Sequence, residues 1–301
     1  MMKKEPVMKI RGLTKYYGDV VGIENLDLDL YRGEILGYLG PNGAGKTTTI
    51  RTCLAFLNKT AGDVKIYGMD SHEDSVELKK RIGYLPGDFT MFKDLKVKTV
   101  LKYFLSLSGM KSDEKMRELS DRLNLDLNKK IKELSKGNRQ KVGLVQALMA
   151  DQDLIILDEP TSGLDPLMQQ VTYEILREER DKGKTIFMSS HILAEVEEVC
   201  DRVAIIRKGK LQVIEDIESL REKMGKKLTV EFTEEVDLER FKIEGVNHIE
   251  VDGKKMSMVI TENLDEVVKE VSRHKIITMN LETFSLEQMF LRYYSEEGDE
   301  V

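Results

Sequence analysis

Residues 40–47 read GPNGAGKT, and they stand between a short apolar run at residues 34–39 and a helical pattern at residues 48–57. This order of strand, glycine-rich loop and helix is the context that the pattern GxxxxGK[ST] requires. The glycines let the backbone close around a polyphosphate with its N–H groups pointing inward, and the following helix adds the positive end of its dipole. The sequence therefore predicts a nucleotide phosphate site within an α/β fold.

Two side chains of this loop have predicted tasks. Lys46 is expected to reach the β and γ phosphates, and the Thr47 hydroxyl is expected to ligate Mg²⁺. A glycine-rich turn with a chance lysine is the alternative. The complete eight-residue match in the right context disfavours it.

Polar side chains also follow two other predicted strands, the apolar run at residues 154–157 and the run at residues 185–190, whose apolar part is residues 186–188. Asp158 is predicted to lie beside the phosphate loop, because the carboxyl ends of parallel strands meet at one edge of a sheet. We expect Asp158 to bind Mg²⁺ and Glu159 to polarise a water, although two solvated carboxylates at a loop start would look the same. His191 ends its run in the same way, but a single histidine after a strand is more often structural, so spacing alone leaves its role open.

The rest of the chain divides by pattern. Residues 7–30 alternate between apolar and polar and predict an antiparallel sheet, whereas the continuous apolar runs predict strands buried in a parallel sheet. Residues from about 93 to 150 are mostly helical and predict an inserted helical subdomain over about residues 88–150. After residue 211 the sequence becomes highly charged, and we predict a boundary near residue 220.

A second, smaller α+β domain is predicted beyond that boundary, over residues 221–301. Strand patterns occur around Leu228 to Phe232, at residues 256–260 and at residues 276–281. An amphipathic helix is predicted after them, followed by a solvated tail at residues 296–300. Its apolar face consists of Leu286, Met289, Phe290 and Tyr293.

Composition excludes several classes of protein. The chain has 301 residues and a net charge of -7, with 47 basic and 54 acidic residues, which opposes a dedicated nucleic-acid binder. Cys53 and Cys200 have no metal-site or disulfide spacing. No run of about 18 apolar residues and no signal peptide is present, so we expect a protein that does not itself span the membrane.

Two further stretches, LSKGN at residues 134–138 and SGLD at residues 162–165, complete a set that resembles the ABC ATPase family. LSKGN corresponds to the family's LSGGQ signature, LIILDEP to its Walker B element, SGLD to its D-loop, and the segment ending at His191 to its switch histidine. The resemblance spans residues 17–191. It implies a P-loop NTPase of ABC type, with a RecA-like parallel-sheet core, an antiparallel β subdomain and the helical subdomain, in a domain of residues 1–220.

The function implied by this resemblance is that of an ATP-binding and ATP-hydrolysing subunit that powers a membrane transporter. In the family, two such subunits form a head-to-tail dimer with two ATP molecules between them. The implied partners are ATP with Mg²⁺, a second ATPase subunit of the same or a different kind, and membrane-spanning subunits on separate chains. The implied location is the cytoplasmic face of the cell membrane.

The resemblance also implies a set of site residues. Catalytic roles fall to Lys46, Glu159 and His191, and Mg²⁺ contacts fall to Thr47 and Asp158. Ser135 and Gly137 would act on the nucleotide of the opposite subunit, since they begin a helix whose free N–H groups form an anion site. The remaining implied nucleotide contacts are Tyr17, Gly40, Pro41, Asn42, Gly43, Ala44, Gly45, Thr48 and Asp165. Tyr17 holds the position of the adenine-stacking aromatic, with its neighbour Tyr16 as the alternative.

This sequence departs from the family at Gly87, where a glutamine that contacts Mg²⁺ and the attacking water is usual. Asp88 or a water could substitute, or the contact could be missing. The membrane-facing surface is expected among residues 87–110, where the side chains of Phe89, Met91, Phe92 and Tyr103 either line an apolar groove or pack the subdomain core.

The segment beyond residue 220 is similar, more weakly, to the accessory domain of ABC-2-type exporter ATPases, through residues 285–290 with the sequence SLEQMF. That similarity favours an exporter. Two other functions stay open at this point: a soluble ABC ATPase with a different partner, and a regulatory module that binds ATP without turnover.

Overall fold

A computed structural model describes residues 5–89 and 92–283 of the chain. The described strands are β1 (Pro6–Tyr17), β2 (Val20–Tyr31), β3 (Ile35–Leu39), β4 (Ala61–Ile66), β5 (Met69–Asp70), β6 (Ile82–Leu85), β7 (Leu154–Asp158), β8 (Thr185–Ser190), β9 (Arg202–Arg207), β10 (Lys210–Asp216), β11 (Lys226–Phe232), β12 (Val246–Asp252), β13 (Lys255–Ile260) and β14 (Ile276–Thr283). The described helices are α1 (Lys46–Cys53), α2 (Ser75–Lys80), α3 (Val97–Leu107), α4 (Glu114–Arg122), α5 (Lys136–Leu148), α6 (Pro166–Asp181), α7 (Leu193–Val199), α8 (Ile217–Met224) and α9 (Leu264–Val271).

A six-stranded sheet, in the order β10-β9-β3-β8-β7-β6, forms the centre of the larger unit. The strands from β9 to β6 run parallel to their neighbours. Every residue of β3, β7 and β8 is buried, as expected for strands covered on both faces. The predicted parallel core is therefore confirmed.

A separate four-stranded sheet, in the order β2-β1-β4-β5, contains the alternating residues near the start of the chain. Leu26, Leu28 and Leu30 of β2 are buried, whereas Asp27 is exposed, so one face of this strand faces the core and the other faces solvent. Both pairings of β1 are antiparallel. The predicted antiparallel subdomain is confirmed.

The helical block between β6 and β7 consists of α3, α4, a 3₁₀ turn at Ile131–Glu133 and α5. Val142, Val145 and Leu148 of α5 are buried, as their spacing predicts. Helix α5 extends from Lys136 to Leu148, so it begins near the predicted place, directly after Ser135. Helix α1 begins earlier and ends earlier than the helical pattern at residues 48–57 indicated.

The smaller unit contains a sheet in the order β12-β13-β11-β14. Its core combines side chains of this sheet with Phe241 and with Val267 and Val271 of α9, which confirms the predicted α+β class. Strand β12 was not predicted, because four of its seven residues are charged or polar. The predicted amphipathic helix with Leu286, Met289, Phe290 and Tyr293, and the SLEQMF stretch, lie outside the described residues.

The two compact units are Met1–Glu215 and Asp216–Val301. The boundary near residue 220, and the reading of these units as independent domains, stay predictions. Among the helices that the structure describes, none combines the length and the apolar character needed to cross a bilayer.

Candidate active site

Three neighbouring strands bring the candidate residues to one edge of the central sheet. Strand β8 lies between β3 and β7, with Leu39 opposite Ser190 and Ser189 opposite Asp158. The chain leaves β3 through the glycine-rich loop and leaves β7 after Asp158. This arrangement follows from parallel pairing, because parallel strands end on the same side of a sheet.

The loop holds Lys46 in a fixed place. The ammonium of Lys46 donates to the carbonyl oxygens of Gly40, at 2.6 Å, and Pro41, at 3.2 Å. Gly45, directly before α1, has a φ of 111°, a backbone conformation that favours glycine. Lys46 is only 6% exposed, so its ammonium is held within the loop and is largely shielded from solvent.

Asp158 is the acceptor for two hydroxyl groups. Thr47 donates to its Oδ2 at 2.8 Å and Ser189 donates to its Oδ1 at 2.6 Å. A hydroxyl and a carboxylate form the oxygen set that suits a hard divalent cation such as Mg²⁺. In residues 5–89 and 92–283 no group of three His, Cys, Asp or Glu side chains could hold a metal, so a cation here needs further oxygens from substrate and water.

Glu159 joins the phosphate loop to His191. Its Oε1 lies 3.2 Å from the Lys46 ammonium, and its Oε2 lies 2.6 Å from Nδ1 of His191. The backbone of Glu159 has a φ of 52°, in the left-handed region, and its N–H donates to the Ser189 hydroxyl at 3.0 Å. Such a conformation is costly for a residue other than glycine and is concentrated at functional sites.

These side chains face a cavity of about 890 Å³, a volume typical of small-ligand sites. The structure brings together at its wall the predicted residues Tyr17, Asn42, Gly43, Gly45, Lys46, Thr47, Thr48, Asp158, Glu159 and His191, together with Gly87 and Asp88. Gly40, Pro41 and Ala44 belong to the same loop but do not line this cavity. Ala44 is 3% exposed and packs into the core behind the loop.

Ser135, Gly137 and Asp165 also do not line the cavity. Ser135 caps α5 by accepting the N–H of Asn138 at 3.2 Å, and Asp165 caps α6 by accepting the N–H of Met168 at 3.0 Å. A Cβ on Gly137 would come within 2.3 Å of the Gly163 carbonyl oxygen. Within one chain, these three residues therefore have structural tasks at the starts of two helices.

Tyr17 and Tyr16 have different surroundings. Tyr17 is 46% exposed, lines the cavity, and places its hydroxyl 3.5 Å from that of Thr48. Tyr16 does not line the cavity, and its hydroxyl donates to Glu24 at 2.9 Å. The geometry therefore favours Tyr17 as the surface for a flat aromatic ring.

Replacing Tyr17 by Ala is expected to weaken ATP binding by about 1 to 2 kcal/mol, because the stacking surface for the base is lost. Tyr16→Ala is the matched control and should change the affinity less. Equilibrium titration with a fluorescent ATP analogue measures both. A larger loss in Tyr16→Ala would assign the adenine surface to Tyr16.

Gly87 stands directly against the candidate metal ligand. A Cβ at this position would lie 3.1 Å from Oδ2 of Asp158, closer than most such contacts. The absence of a side chain thus allows the loop after β6 to approach Asp158. Asp88 lines the same cavity, which leaves it available as a substitute for the usual glutamine.

Glu195 is a buried carboxylate that the sequence reasoning missed. It is 4% exposed and accepts from the hydroxyls of Thr161, at 2.5 Å, and Ser190, at 2.6 Å. Burial raises the pKa of the nearby Tyr173 phenol, and the Glu195 carboxylate raises it further, so Tyr173 stays protonated. Through its hydrogen bonds with Thr161 and Ser190, Glu195 connects the loop after Glu159 to the loop that carries His191.

Gln140 is a second residue without a sequence signal. Its side-chain amide donates to the carbonyl oxygens of Glu159, at 2.9 Å, and Pro160, at 3.1 Å. It lies in α5, so the helical subdomain contacts the backbone of the candidate site directly. Arg51 and Gln169 also line the cavity and were not predicted.

Comparison with known proteins agrees with this geometry. The family described as ABC transporter matches residues 23–162. An uncharacterized ABC transporter ATP-binding protein of Methanocaldococcus jannaschii is 40% identical over 226 residues, which cover 73% of this chain and 82% of that protein. The chain belongs to the family of ABC transporter ATP-binding proteins. The resemblance drawn from the motifs is thereby confirmed.

Other similarities place this ABC ATPase more closely. The bacitracin transport ATP-binding protein of Bacillus licheniformis is 35% identical over 211 residues, covering 68% of each chain. A solved structure of an ATP binding subunit of an ABC transporter has a TM-score of 0.65 at 28% identity, covering 71% of this chain and 92% of that one. This ABC ATPase is therefore an ATP-hydrolysing subunit of the transporter class, with the ABC cassette fold.

Proposed function

We propose that this ABC ATPase drives an exporter by binding MgATP at the cavity beside Lys46 and hydrolysing it within a head-to-tail dimer. The observation that carries the proposal is the contact of Glu159 with both Lys46 and His191, at 3.2 Å and 2.6 Å. This contact joins a phosphate-binding cation, a carboxylate base and an orienting imidazole. It supports water activation next to a terminal phosphate.

Each of these side chains has a separate task in the proposed reaction. Lys46 exchanges its contact with Glu159 for the β and γ phosphates and stabilises their charge. Glu159 accepts the proton of the attacking water, and His191 holds the Glu159 carboxylate in place through its 2.6 Å contact. Glu195 supports both loops from behind through Thr161 and Ser190.

The Mg²⁺ site of the proposal consists of Thr47 and Asp158, whose oxygens lie 2.8 Å apart. When bound, Mg²⁺ neutralises part of the phosphate charge in the transition state. Ser189 donates to the other Asp158 oxygen and so fixes the orientation of the carboxylate. Gly87 lies against this carboxylate, where a Cβ would stand 3.1 Å from Oδ2 of Asp158.

The dimer in the proposal uses Ser135, Gly137 and Asp165. These residues do not line the cavity of their own chain, yet Ser135 and Gly137 stand at the start of α5, where the helix dipole favours an anion. A second subunit placed head to tail would bring this helix start to the nucleotide of the first.

The membrane partner in the proposal contacts the helical subdomain at the cytoplasmic face of the membrane. Phe92 and Tyr103 are 43% and 50% exposed, and their rings meet edge to face at 5.8 Å. Phe89 does not belong to this surface, because it is 3% exposed and packs against α5 near Gly143. Met91 lies outside the described residues.

Export rather than import is supported by the relative named for bacitracin transport and by the presence of the second, α+β unit. We place that unit in residues 221–301 as an accessory domain. The transported substrate is not encoded in the described site.

Replacing both Phe92 and Tyr103 by Ala tests the proposed partner contact. We expect basal ATPase activity to persist and its stimulation by the reconstituted membrane partner to fall at least about tenfold, because two exposed aromatic anchors are removed. Val76→Ala removes another exposed apolar side chain, one that is 75% exposed, and serves as the control. Unchanged stimulation in the double variant would exclude this surface.

A further inference from the structure

Two segments of the helical subdomain, residues 93–98 and 127–132, lie side by side, and each consists of a turn, a single bridge residue and the start of a helix. The N–H of Val97 donates to Lys129 at 2.9 Å, and the N–H of Ile131 donates to Leu95 at 3.0 Å. Lys96 and Lys130 stand directly opposite each other in an antiparallel bridge. These contacts bring the exposed side chains of the two segments close together, whereas Val97 and Ile131 are buried.

This surface is rich in unpaired positive charge. It carries six lysines, of which Lys132 pairs with Asp94 at 2.8 Å. The other five are exposed and make no ion pair with any residue that the structure describes. We call them the lysine ridge: Lys93, Lys96, Lys98, Lys129 and Lys130. The nearby Glu133 carboxylate accepts the backbone N–H of Lys130 at 3.1 Å.

The positions of these lysines are locally unfavourable. Like charges directly opposite each other in an antiparallel pair repel, as at Lys96 and Lys130. Lys96 is also the N-cap of α3 and Lys98 lies in its first turn, where the helix dipole disfavours cations and where no acidic residue is present. Lysines in such electrostatically unfavourable positions are expected where a surface has a binding role.

Another lysine pair on the molecule shows the ordinary arrangement. Lys9 of β1 stands opposite Lys65 of β4, but Lys9 is also opposite Asp29, and Lys65 is also opposite Asp70. A carboxylate thus neighbours each of those lysines in the sheet. At the bridge of Lys96 and Lys130 no carboxylate stands opposite either lysine. The Asp94 carboxylate pairs with Lys132, although the charge of Lys130 also contributes to lowering the pKa of Asp94.

An exposed apolar side chain accompanies the ridge. Leu95, between Lys93 and Lys96, is 42% exposed. Lysines next to exposed apolar side chains are typical of surfaces that lie on a bilayer, where the charges meet headgroups and the apolar groups enter the interface. The chain as a whole carries a charge of -7, so attraction to an anionic surface has to come from a local patch.

We propose that the lysine ridge binds the anionic headgroups of the lipid bilayer. This contact goes beyond the proposed function, because it joins the ATPase to lipid and does not depend on the membrane-spanning partner. Its chemistry is the attraction of several lysines to lipid phosphates, strengthened by Leu95 at the interface. Nucleic acid also offers phosphates, but it has no hydrocarbon interface for the exposed Leu95 side chain.

Vesicle sedimentation tests the proposal with the full chain. We expect binding to vesicles with about one phosphatidylglycerol in three lipids, weak binding to pure phosphatidylcholine, and loss of binding between about 50 and 300 mM salt. Lys96→Gln with Lys130→Gln should weaken binding about tenfold to thirtyfold. The matched control, Lys9→Gln with Lys65→Gln, removes the same charge from another cross-strand pair and should bind like the unmodified chain.

Thermal unfolding separates binding from damage to the fold. The ridge variant should unfold at the same or a higher temperature, since its substitutions relieve repulsion and an unfavourable helix dipole. Equal binding to both vesicle types, equal weakening in the control pair, or no binding by the unmodified chain would overturn the proposal. Binding of short RNA, weakened by the ridge substitutions, without binding to vesicles would assign the ridge to nucleic acid instead.

Discussion

Glu159→Gln is expected to lower ATP turnover by about 10² to 10⁴-fold, because the proposed general base is lost while the shape of the side chain is kept. ATP binding should persist or strengthen, since the Lys46 ammonium, now 3.2 Å from a carboxylate oxygen, loses a competing anionic partner. Bound ATP should then hold two subunits together. Light scattering should detect a dimer with ATP and a monomer with ADP.

Adding Ser135→Arg to that variant tests which chain completes the site. Ser135 does not line the cavity of its own chain, so a bulky side chain there should block the second subunit and leave ATP binding intact. The matched control adds Ser112→Arg, at an exposed serine of the same subdomain, and should still form the dimer. A dimer that survives Ser135→Arg unchanged would refute the head-to-tail arrangement.

Lys46→Ala is expected to reduce ATPase activity by about a hundredfold or more and to weaken ATP binding, because a buried cation is removed from the phosphates. The loss has a second cause in this structure. Without Lys46, the Glu159 carboxylate faces the phosphates unneutralised. The stabilisation of the protein by ATP, measured as the shift in its thermal midpoint, should therefore disappear.

The double variant Lys46→Ala with Glu159→Gln distinguishes these two causes. Removing the repelling charge should restore part of the ATP-dependent thermal shift, whereas turnover should stay absent. Lys65→Ala, at an exposed lysine of β4, controls for loss of charge elsewhere and should behave like the unmodified chain. Activity close to normal in Lys46→Ala would remove Lys46 from the proposed site.

Sequence pattern was sufficient to predict an element where all the residues that define it lie in one short segment. The phosphate loop is a contiguous stretch in which glycine spacing, a preceding apolar run and a following helix all appear within the sequence. The buried strands β3, β7 and β8 each contain a short apolar run, so their type followed from composition. Strand β12 was not predicted from the sequence, because its side chains are mostly polar and exposed.

Sequence pattern could not predict which of two neighbouring residues with similar chemistry lines the cavity or packs in the core. Tyr16 and Tyr17 are adjacent and chemically identical, and only the pairing of β1 decides which side chain lines the cavity. Phe89 and Phe92 lie in one aromatic stretch, yet one packs against α5 and the other is exposed. Burial depends on what the rest of the chain places opposite a side chain, and a local pattern does not contain that information.

Short contiguous segments were sufficient to predict the family, the buried strands of the parallel core and the order of the candidate motifs. The contacts that join those segments became known from the fold. Glu195 meets Thr161 and Ser190 across three separate parts of the chain, and Gly87 lies against Asp158 from a different strand. The sheet register sets such distances, and residues distant in sequence carry no local sign that they will meet.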